Sequence, residues 1–559
     1  MVKQQKKETS SVDFEHCGLG WNYISNNACR MQFAGAVTGV NAREVLHLLN
    51  DVKLDLRKIK TLINGFSGHF GILYQDNYKI IAATDCIASY PIFYKKTGND
   101  YRIATAGSAL VRNGEIDKAQ GKALMLSGYT VGNKTIYQDV LTFQHGQIYF
   151  QPSGQTPKFS RYYKYTPWAD PIEIDRGQLK RNMVDVTLAA MSRVIEQAAG
   201  QTIVVPLSAG LDSRLVASAL KHLGAENVVC YSYGPSGNFE AKIAKQIAER
   251  LGYKWIFIEV TPSIQKKFWD TQIPKRFAAA SNDFMAGPVF HDLFVTQALL
   301  NQGLITKESI VVNGNTGDFI SGNHIPLSLA ESGEIYSSEN ANKLIDMLIN
   351  KHFSMWANLV ISSNTDPIRK LLRDELTLID ESDGTKSPKS LSAIHQYLEM
   401  TNRQIKWVIK RQKIYDYFSI AWALPLWDKD LMIFWETVPL KYKKKQNLYI
   451  EMLHEENWGG VWQDIPGNSA RYVSPAWLRY LVRPFLKAIH LPLGKAAWHK
   501  CEKRVLDYWL DELGFYGPFG YGSVLFEKDL ARNSLAFHIR EYGLEMGCEL
   551  NTEISSTNT

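Results

Sequence analysis

Cysteine is scarce and scattered: Cys17, Cys29, Cys86, Cys230, Cys501 and Cys548 are the six in 559 residues. None forms a CxxC pair and no Cys/His group has zinc-ligand spacing, which argues against a structural zinc site. No run of 18 or more apolar residues occurs, so no transmembrane helix is expected. The polar start "MVKQQKKETSSVDFEH" lacks the apolar region of a secretory signal. The phosphate-binding pattern GxxxxGK[ST] is missing, as are internal repeats and any aromatic-basic module for nucleic acid. A reducing cytoplasm is the expected location. Charge of one sign is also nearly lacking: 63 basic against 56 acidic residues leave +7. That excess permits an anionic substrate or a weak surface attraction and demands neither.

What is there is ordinary for a soluble enzyme-sized chain, with 45% apolar and 21% charged residues. The length predicts two to four domains. Residues 1–16 read as a flexible leader. From Trp21 to about Gln151 short β-rich runs dominate, among them "YKIIAATD", "PIFYKKTG" and "GQIYFQPSG", with one helix in "NAREVLHLLNDV". This predicts an α+β domain over 17–165. Residues 152–175 read as a surface linker. From 176 the pattern alternates. A helix over about 177–198 precedes the strand "TIVVPL", and Leu215, Val216, Ala219, Leu220 and Leu223 then share a helical face. "NVVCYSYG", "KWIFIEV" and "SIVVNG" are further strands. The rhythm predicts a parallel sheet with helices on both faces over 176–470. A helical region over 471–548 and a polar, disordered tail over 549–559 complete the chain.

The stretch "VVPLSAGLDSRLVASAL", Val204–Leu220, places hydroxyls, a glycine and a carboxylate where a strand enters a helix. Ligands bind at the carboxyl ends of strands in such sheets. The helix N-terminus offers free N–H groups and a positive dipole end. Ser208 and Ser213 add donors, and Gly210 admits close backbone approach. Asp212 repels a naked phosphate, so it points to a bridging magnesium ion. The competing reading is a helix cap, which needs no ligand.

"LSAGLDSR" resembles the pyrophosphate loop, usually SGGxDS, of ATP pyrophosphatases, and more closely that of the asparagine synthetase superfamily. "YSYGPSGNFEAKIAKQIAERLG", "VVNGNTGDFISGNH" and "ALPLWDKDLMIFWETVPLKYKKK" resemble later segments of that family in order. "GHFGILYQDNYKIIAATDCIASYPIFYKK" resembles its glutaminase-type domain. The resemblance implies an Ntn-hydrolase-like α+β domain followed by an adenine nucleotide alpha-hydrolase-like synthetase domain. It implies ATP and Mg²⁺, adenylation of a carboxylate, pyrophosphate release, and attack by ammonia or an amine. It places Leu207, Ser208, Gly210, Asp212, Ser213, Asn313 and Gly314 on the nucleotide, Tyr233 near adenine, Asp212 and Asp318 on the metal, and Asp428 on a downstream aspartate.

The sequence also departs from that family. Position 2 is Val2 rather than a cysteine freed by methionine removal. "CGLGW" resembles the family's opening motif, so cleavage before Cys17 would restore a nucleophile; otherwise Cys17 reads as a small hydrophobe in a strand. Glutamine-binding segments are missing, and Ser67 replaces an aspartate before "GHF". These losses predict a degenerate glutaminase domain. Asn315 stands where relatives carry glutamate or tyrosine and can hydrogen-bond without acting as a base. The adenylation lysine aligns near Gln446; Lys443, Lys444 and Lys445 adjoin it, and Lys443 and Lys445 are the candidates, a solvated charge run being the alternative. Phe319 replaces an acidic residue, which disfavours aspartate as substrate.

The expected function is an AMP-forming, amide-forming ligase acting on a small-molecule or sugar carboxylate without glutamine. By resemblance it belongs in natural-product or surface-polysaccharide biosynthesis. The alternatives are a glutamine-dependent amidotransferase and a non-catalytic scaffold. A homodimer is compatible with this reading; a nucleic-acid partner is not. "SPAWLRYLVRPFLKAIHLPLGKAAWHK" is basic and apolar on helical spacing. It reads either as a helix packed on the synthetase domain or as a contact with a membrane surface or anionic lipid-linked substrate.

Overall fold

The computed structural model describes residues 10–111, 114–169, 173–382, 389–467, 477–511 and 516–552. An antiparallel six-stranded sheet organises the N-terminal part, in the spatial order Lys158–Arg161, Gln147–Pro152, Lys79–Thr84, Phe70–Asp76, Cys29–Gly35, Trp21–Ser25. Its side chains alternate between two buried faces. Ile72, Tyr74, Ile81, Ile148 and Phe150 pack with Val45, Leu49, Ile59 and Ile63 of the helices Ala42–Asp51 and Leu56–Asn64. Leu73, Ala82 and Tyr149 point the other way, into the main core. Burial on both faces is why "YKIIAATD" reads as one apolar run.

A smaller sheet of Ser11–Val12, Asp100–Ala104, Phe93–Thr97 and Leu141–Thr142 lies beside it. Two expectations are corrected here. The leader is not free up to residue 16, because Ser11–Val12 pairs parallel to Arg102–Ile103. The 152–175 linker contains an edge strand, Lys158–Arg161, whose Phe159 packs against the rings of Tyr94, Tyr101, Phe143 and Tyr149. Aromatic packing holds a segment whose composition reads as loop.

The helix Arg176–Ala198 leads into a five-stranded, all-parallel sheet. Its order is Lys254–Glu259, Val228–Gly234, Ile203–Pro206, Ile310–Val312, Ala421–Ala423. The last strand, three residues long, lies in a region expected to be helical. The fold is therefore α/β, with an antiparallel α+β domain before a parallel-sheet domain. Helices dominate beyond 326, including Lys495–Leu510 and Ser534–Glu545. The tail is tied down as far as Asn551, whose N–H donates to Asn364 Oδ1 at 2.9 Å. Residues 471–476 and 553–559 lie outside the described residues. The basic stretch expected as one helix is a hairpin, Leu478–His490 followed by Lys495–Leu510. Leu478, Trp498 and Leu506 pack inward with Val482 and Leu486 against them, while Trp477, Tyr480, Leu481, Phe485, Ile489 and Leu493 are exposed.

The chain runs outward from Ile203–Pro206 through Val228–Gly234 to Lys254–Glu259, then returns to the other side at Ile310–Val312. Ile203–Pro206 and Ile310–Val312 thus flank the switch point, where their following loops diverge and leave a crevice. The loops touch at their bases. A Cβ on Gly314 would lie 2.6 Å from the Asp212 carbonyl carbon and the Ser213 nitrogen. One on Gly317 would lie 2.8 Å from Asp212 Oδ1. Only glycine lets these backbones meet. Gly314→Ala is expected to destabilise the domain by roughly 1–3 kcal/mol, read as a lower urea midpoint of tryptophan fluorescence. An unchanged midpoint would show that the loops have room to part.

Candidate functional site

A cavity of about 900 Å³ opens at this switch point. Leu207, Ser208, Gly210, Asp212, Ser213, Tyr233, Asn313, Gly314, Asn315 and Asp318 all line it. Gly210 is the N-cap of the helix Leu211–His222 and no side chain caps that helix. The cap reading of the serines and Asp212 is therefore overturned. Ser213 Oγ instead accepts the Ser208 N–H at 3.0 Å, and Ser208 Oγ accepts the Gly210 N–H at 3.1 Å. These bonds fold the turn back on itself and leave the helix end facing the cavity. Arg214, buried behind the turn, donates to the carbonyls of Ala209, Val461, Ile465 and Pro466. It staples the loop to a segment 247–252 residues further along the chain.

Asp212 holds the second loop. Its Oδ2 accepts the Asp318 N–H and its Oδ1 the Tyr449 hydroxyl, each at 2.9 Å. Burial, with the Asp318 charge adding to it, pushes the Asp212 carboxyl up to about 7. Asp318 Oδ2 meets His324 Nε2 at 3.1 Å, while Asp318 Oδ1 is buried with no hydrogen-bond partner. The other ring nitrogen of His324 bonds the fully buried Glu399, which also accepts from Lys351 Nζ at 3.0 Å. Burial opposes charge on His324, but Asp318 and Glu399 outweigh it and lift the imidazole to about 9.

At the opposite wall Tyr233 donates to Asp292 at 2.6 Å. Asp292 also accepts from Tyr415 at 3.3 Å and pairs with Arg411 at 3.5 Å. Asn313 Nδ2 donates to Gln412 Oε1 at 2.9 Å. Arg411 is the one basic side chain among the described residues lining the cavity, against Asp212, Glu240, Asp292, Asp318, Asp507 and Asp511.

Lys443 and Lys445, the lysine candidates, do not line the cavity. Lys445 and Gln446 both take left-handed backbone conformations, φ 54° and 58°. That turn leaves Lys445 exposed and directs Gln446 inward, where its Nε2 donates to Ser321 Oγ at 2.7 Å. Lys443 is 2% exposed and burial lowers its ammonium to about 8 despite Glu436. Lys444 pairs with Glu331 at 2.7 Å. Asp428 lies away from the cavity: it caps Lys429–Thr437 and forms a two-pronged pair with Arg193 at 2.6 and 2.8 Å. Phe319 is buried and stacks on Trp427.

Cys17 is not a buried strand residue. It is exposed in the turn before Trp21–Ser25, beside a separate cavity of about 120 Å³. Gln32 Nε2 donates to its Sγ at 3.2 Å, and burial of the sulfur raises the thiol above its ordinary range.

Sequence reasoning missed Glu240, Asp292, Arg411, His324, Glu399 and Tyr449, and the wall formed by Asp507, Asp511, Tyr516, Asn533 and Ser534. "SGNH" carried the only usable signal, a histidine six residues after Asp318. Among the described residues no group of three or more His, Cys, Asp or Glu side chains could hold a metal alone. Two carboxylates with an unpaired buried oxygen suit Mg²⁺ shared with phosphate oxygens, because that ion commonly takes only one or two protein carboxylates.

The raised His324 value sets a pH dependence. A base lifted from 6.5 to about 9 stabilises the fold fully below its unfolded value, and that stabilisation is lost as pH rises through about 9. In metal-free protein, His324→Gln is expected to cost up to about 3 kcal/mol at pH 6 and little above pH 10. Urea unfolding at the two pH values measures it; an equal cost at both would contradict the charged pairing.

The sequence model of the asparagine synthase family matches residues 194–455. A comparison with curated proteins found no match. Among solved structures, an NH3-dependent NAD synthetase from Campylobacter jejuni, in complex with nitrate, is similar at 20% identity over 43% of this chain and 96% of that one, with a TM-score of 0.20. A glutamine phosphoribosylpyrophosphate amidotransferase from B. subtilis, complexed with ADP and GMP, is similar at 12% identity over 55% and 61%, with a TM-score of 0.17. An allosteric regulatory enzyme of purine biosynthesis is similar at 14% identity over 42% and 61%, also with a TM-score of 0.17. Residues 194–455, the span that resembles the asparagine synthase family, build both loops of the cavity.

Proposed function

We propose that the protein is an ATP-dependent ligase that adenylates a carboxylate and joins it to ammonia or an amine. The observation that carries this reading is the meeting of Asp212 and Asp318 beside the N-terminus of Leu211–His222. The family match over 194–455 supports the ATP-dependent ligase class.

The triphosphate lies at that helix end, where N–H groups and the dipole favour negative charge. Gly210 lets the backbone approach, Ser208 and Ser213 hold the turn, and adenine lies on the Tyr233 side near Asn313. Asp212 and Asp318 would hold Mg²⁺, which would supply positive charge against the negative charge that builds on a departing pyrophosphate. A carboxylate oxygen of the substrate attacks the α-phosphorus, and the bond to the bridging oxygen breaks. The amine nitrogen then attacks the acyl carbon, and AMP leaves with the bonding pair. Asn315 orients but removes no proton, so the nucleophile arrives neutral, and the proton its nitrogen sheds on amide formation goes to the departing AMP phosphate or to water. Free ammonia or an amine fits better than glutamine, because the nitrogen of Cys17 is a backbone amide and not a free amino base.

Carboxylate-dependent pyrophosphate release over a panel of small acids and uronic acids tests the reading. Asp318→Asn should lower the rate at least about 100-fold, roughly 2.7 kcal/mol of transition-state stabilisation, with folding intact. A near-normal rate in the folded variant would contradict the metal assignment, and no release with any acid would favour a scaffold. Glutamine should yield no glutamate; glutamate formation abolished by Cys17→Ala would restore the glutamine-dependent reading.

A further inference from the structure

Trp477, Tyr480, Leu481, Phe485, Ile489 and Leu493 are each between 50 and 72% exposed. Five of them recur at every fourth position, which places them along one side of the helical stretch Leu478–His490 and the turn after it. That stretch forms a hairpin with the helix Lys495–Leu510. The hairpin already has an interior: Leu478, Trp498 and Leu506 pack together, with Leu486 and Val505 against them. The exposed residues are therefore an outer face, not a core left half-formed. A contiguous apolar face of this kind marks an interaction surface.

Charge says what covers it. Residues 477–504 contain seven basic residues and one acidic residue, so this short segment carries +6 of the chain's formal +7. The one acid, Glu502, is taken by Arg483 within the hairpin at 2.9 Å. Lys487, Lys495, Lys500, Lys503 and Arg504 of the same hairpin are exposed. A helix with aromatic and aliphatic residues on one side and lysines beside them lies in the interface of an anionic bilayer. Among the described residues no helix is long and apolar enough to cross a membrane.

We propose that the hairpin Leu478–Leu510 docks the protein on an anionic membrane surface. The second helix links that face to the cavity, because Asp507 near its far end lines the cavity wall. Its 16 residues span about 24 Å, so docking holds the cavity within about one helix length of the lipid headgroups. The proposal does not depend on the ligase reading.

Flotation of the full-length protein with vesicles tests it. Vesicles of phosphatidylcholine containing about one-third phosphatidylglycerol should carry the protein, and pure phosphatidylcholine should not. Added salt should weaken binding. Leu481→Asp with Phe485→Asp should reduce binding at least about tenfold, and Lys495→Glu with Lys500→Glu by a similar factor. These positions are exposed, so circular dichroism and urea unfolding should stay unchanged. Absence of flotation, equal flotation with both vesicles, or binding indifferent to the apolar variant would overturn the proposal. So would a concentration-dependent dimer that Phe485→Asp dissociates, which would assign the face to a second copy of the chain.

Discussion

The Asp318 N–H donates to the Asp212 carboxylate at 2.9 Å across 106 residues of sequence, and this bond sets the spacing between the two loops of the cavity. It forms because strands Ile203–Pro206 and Ile310–Val312 are neighbours in the parallel sheet. It also needs Gly314 and Gly317, since any side chain there would meet Asp212 or Ser213 at under 3 Å. Tyr449 closes the Asp212 carboxylate from the helical region, and Arg214 fixes the first loop from behind through four carbonyls. Three distant parts of the chain thus converge on one six-residue turn.

The arrangement concentrates negative charge. Among the described residues six carboxylates line the cavity against Arg411 alone among basic side chains. Asp212 responds with a carboxyl lifted to about 7, and Asp318 takes a charged His324 as partner. His324 in turn rests on Glu399, which is buried among Lys351, His352, His395 and Arg403. The protein thereby brings positive charge to one side of Asp318 and leaves its Oδ1 unpaired. A divalent cation carrying a polyphosphate would complete both carboxylates.

Much of this was legible in the sequence because its determinants are local. The apolar strand "TIVVPL" and the spacing of Leu215, Val216, Ala219 and Leu220 place the turn at a strand–helix junction. "SIVVNG" does the same for the second loop. Illegible features depend on contacts between distant residues. Asp292 reaches Tyr233 across 59 positions, and Asp507 enters the cavity from beyond the matched domain. The lysine assignment failed because backbone dihedrals at Lys445 and Gln446, which composition does not encode, decide which residue turns inward. The edge strand at Lys158–Arg161 was hidden because Phe159 finds its four aromatic partners only in the folded state.

The central claim is that the Ser208–Ser213 and Asn313–Asp318 loops form one Mg·ATP site. Calorimetric titration of the full-length protein with Mg²⁺ and a non-hydrolysable ATP analogue tests it most directly, with Asp212→Asn and Asp318→Asn titrated in parallel. The account predicts one site per chain, lost or severely weakened in both variants while their circular dichroism is unchanged. Binding that survives both substitutions, or no binding by the unaltered protein, would contradict it.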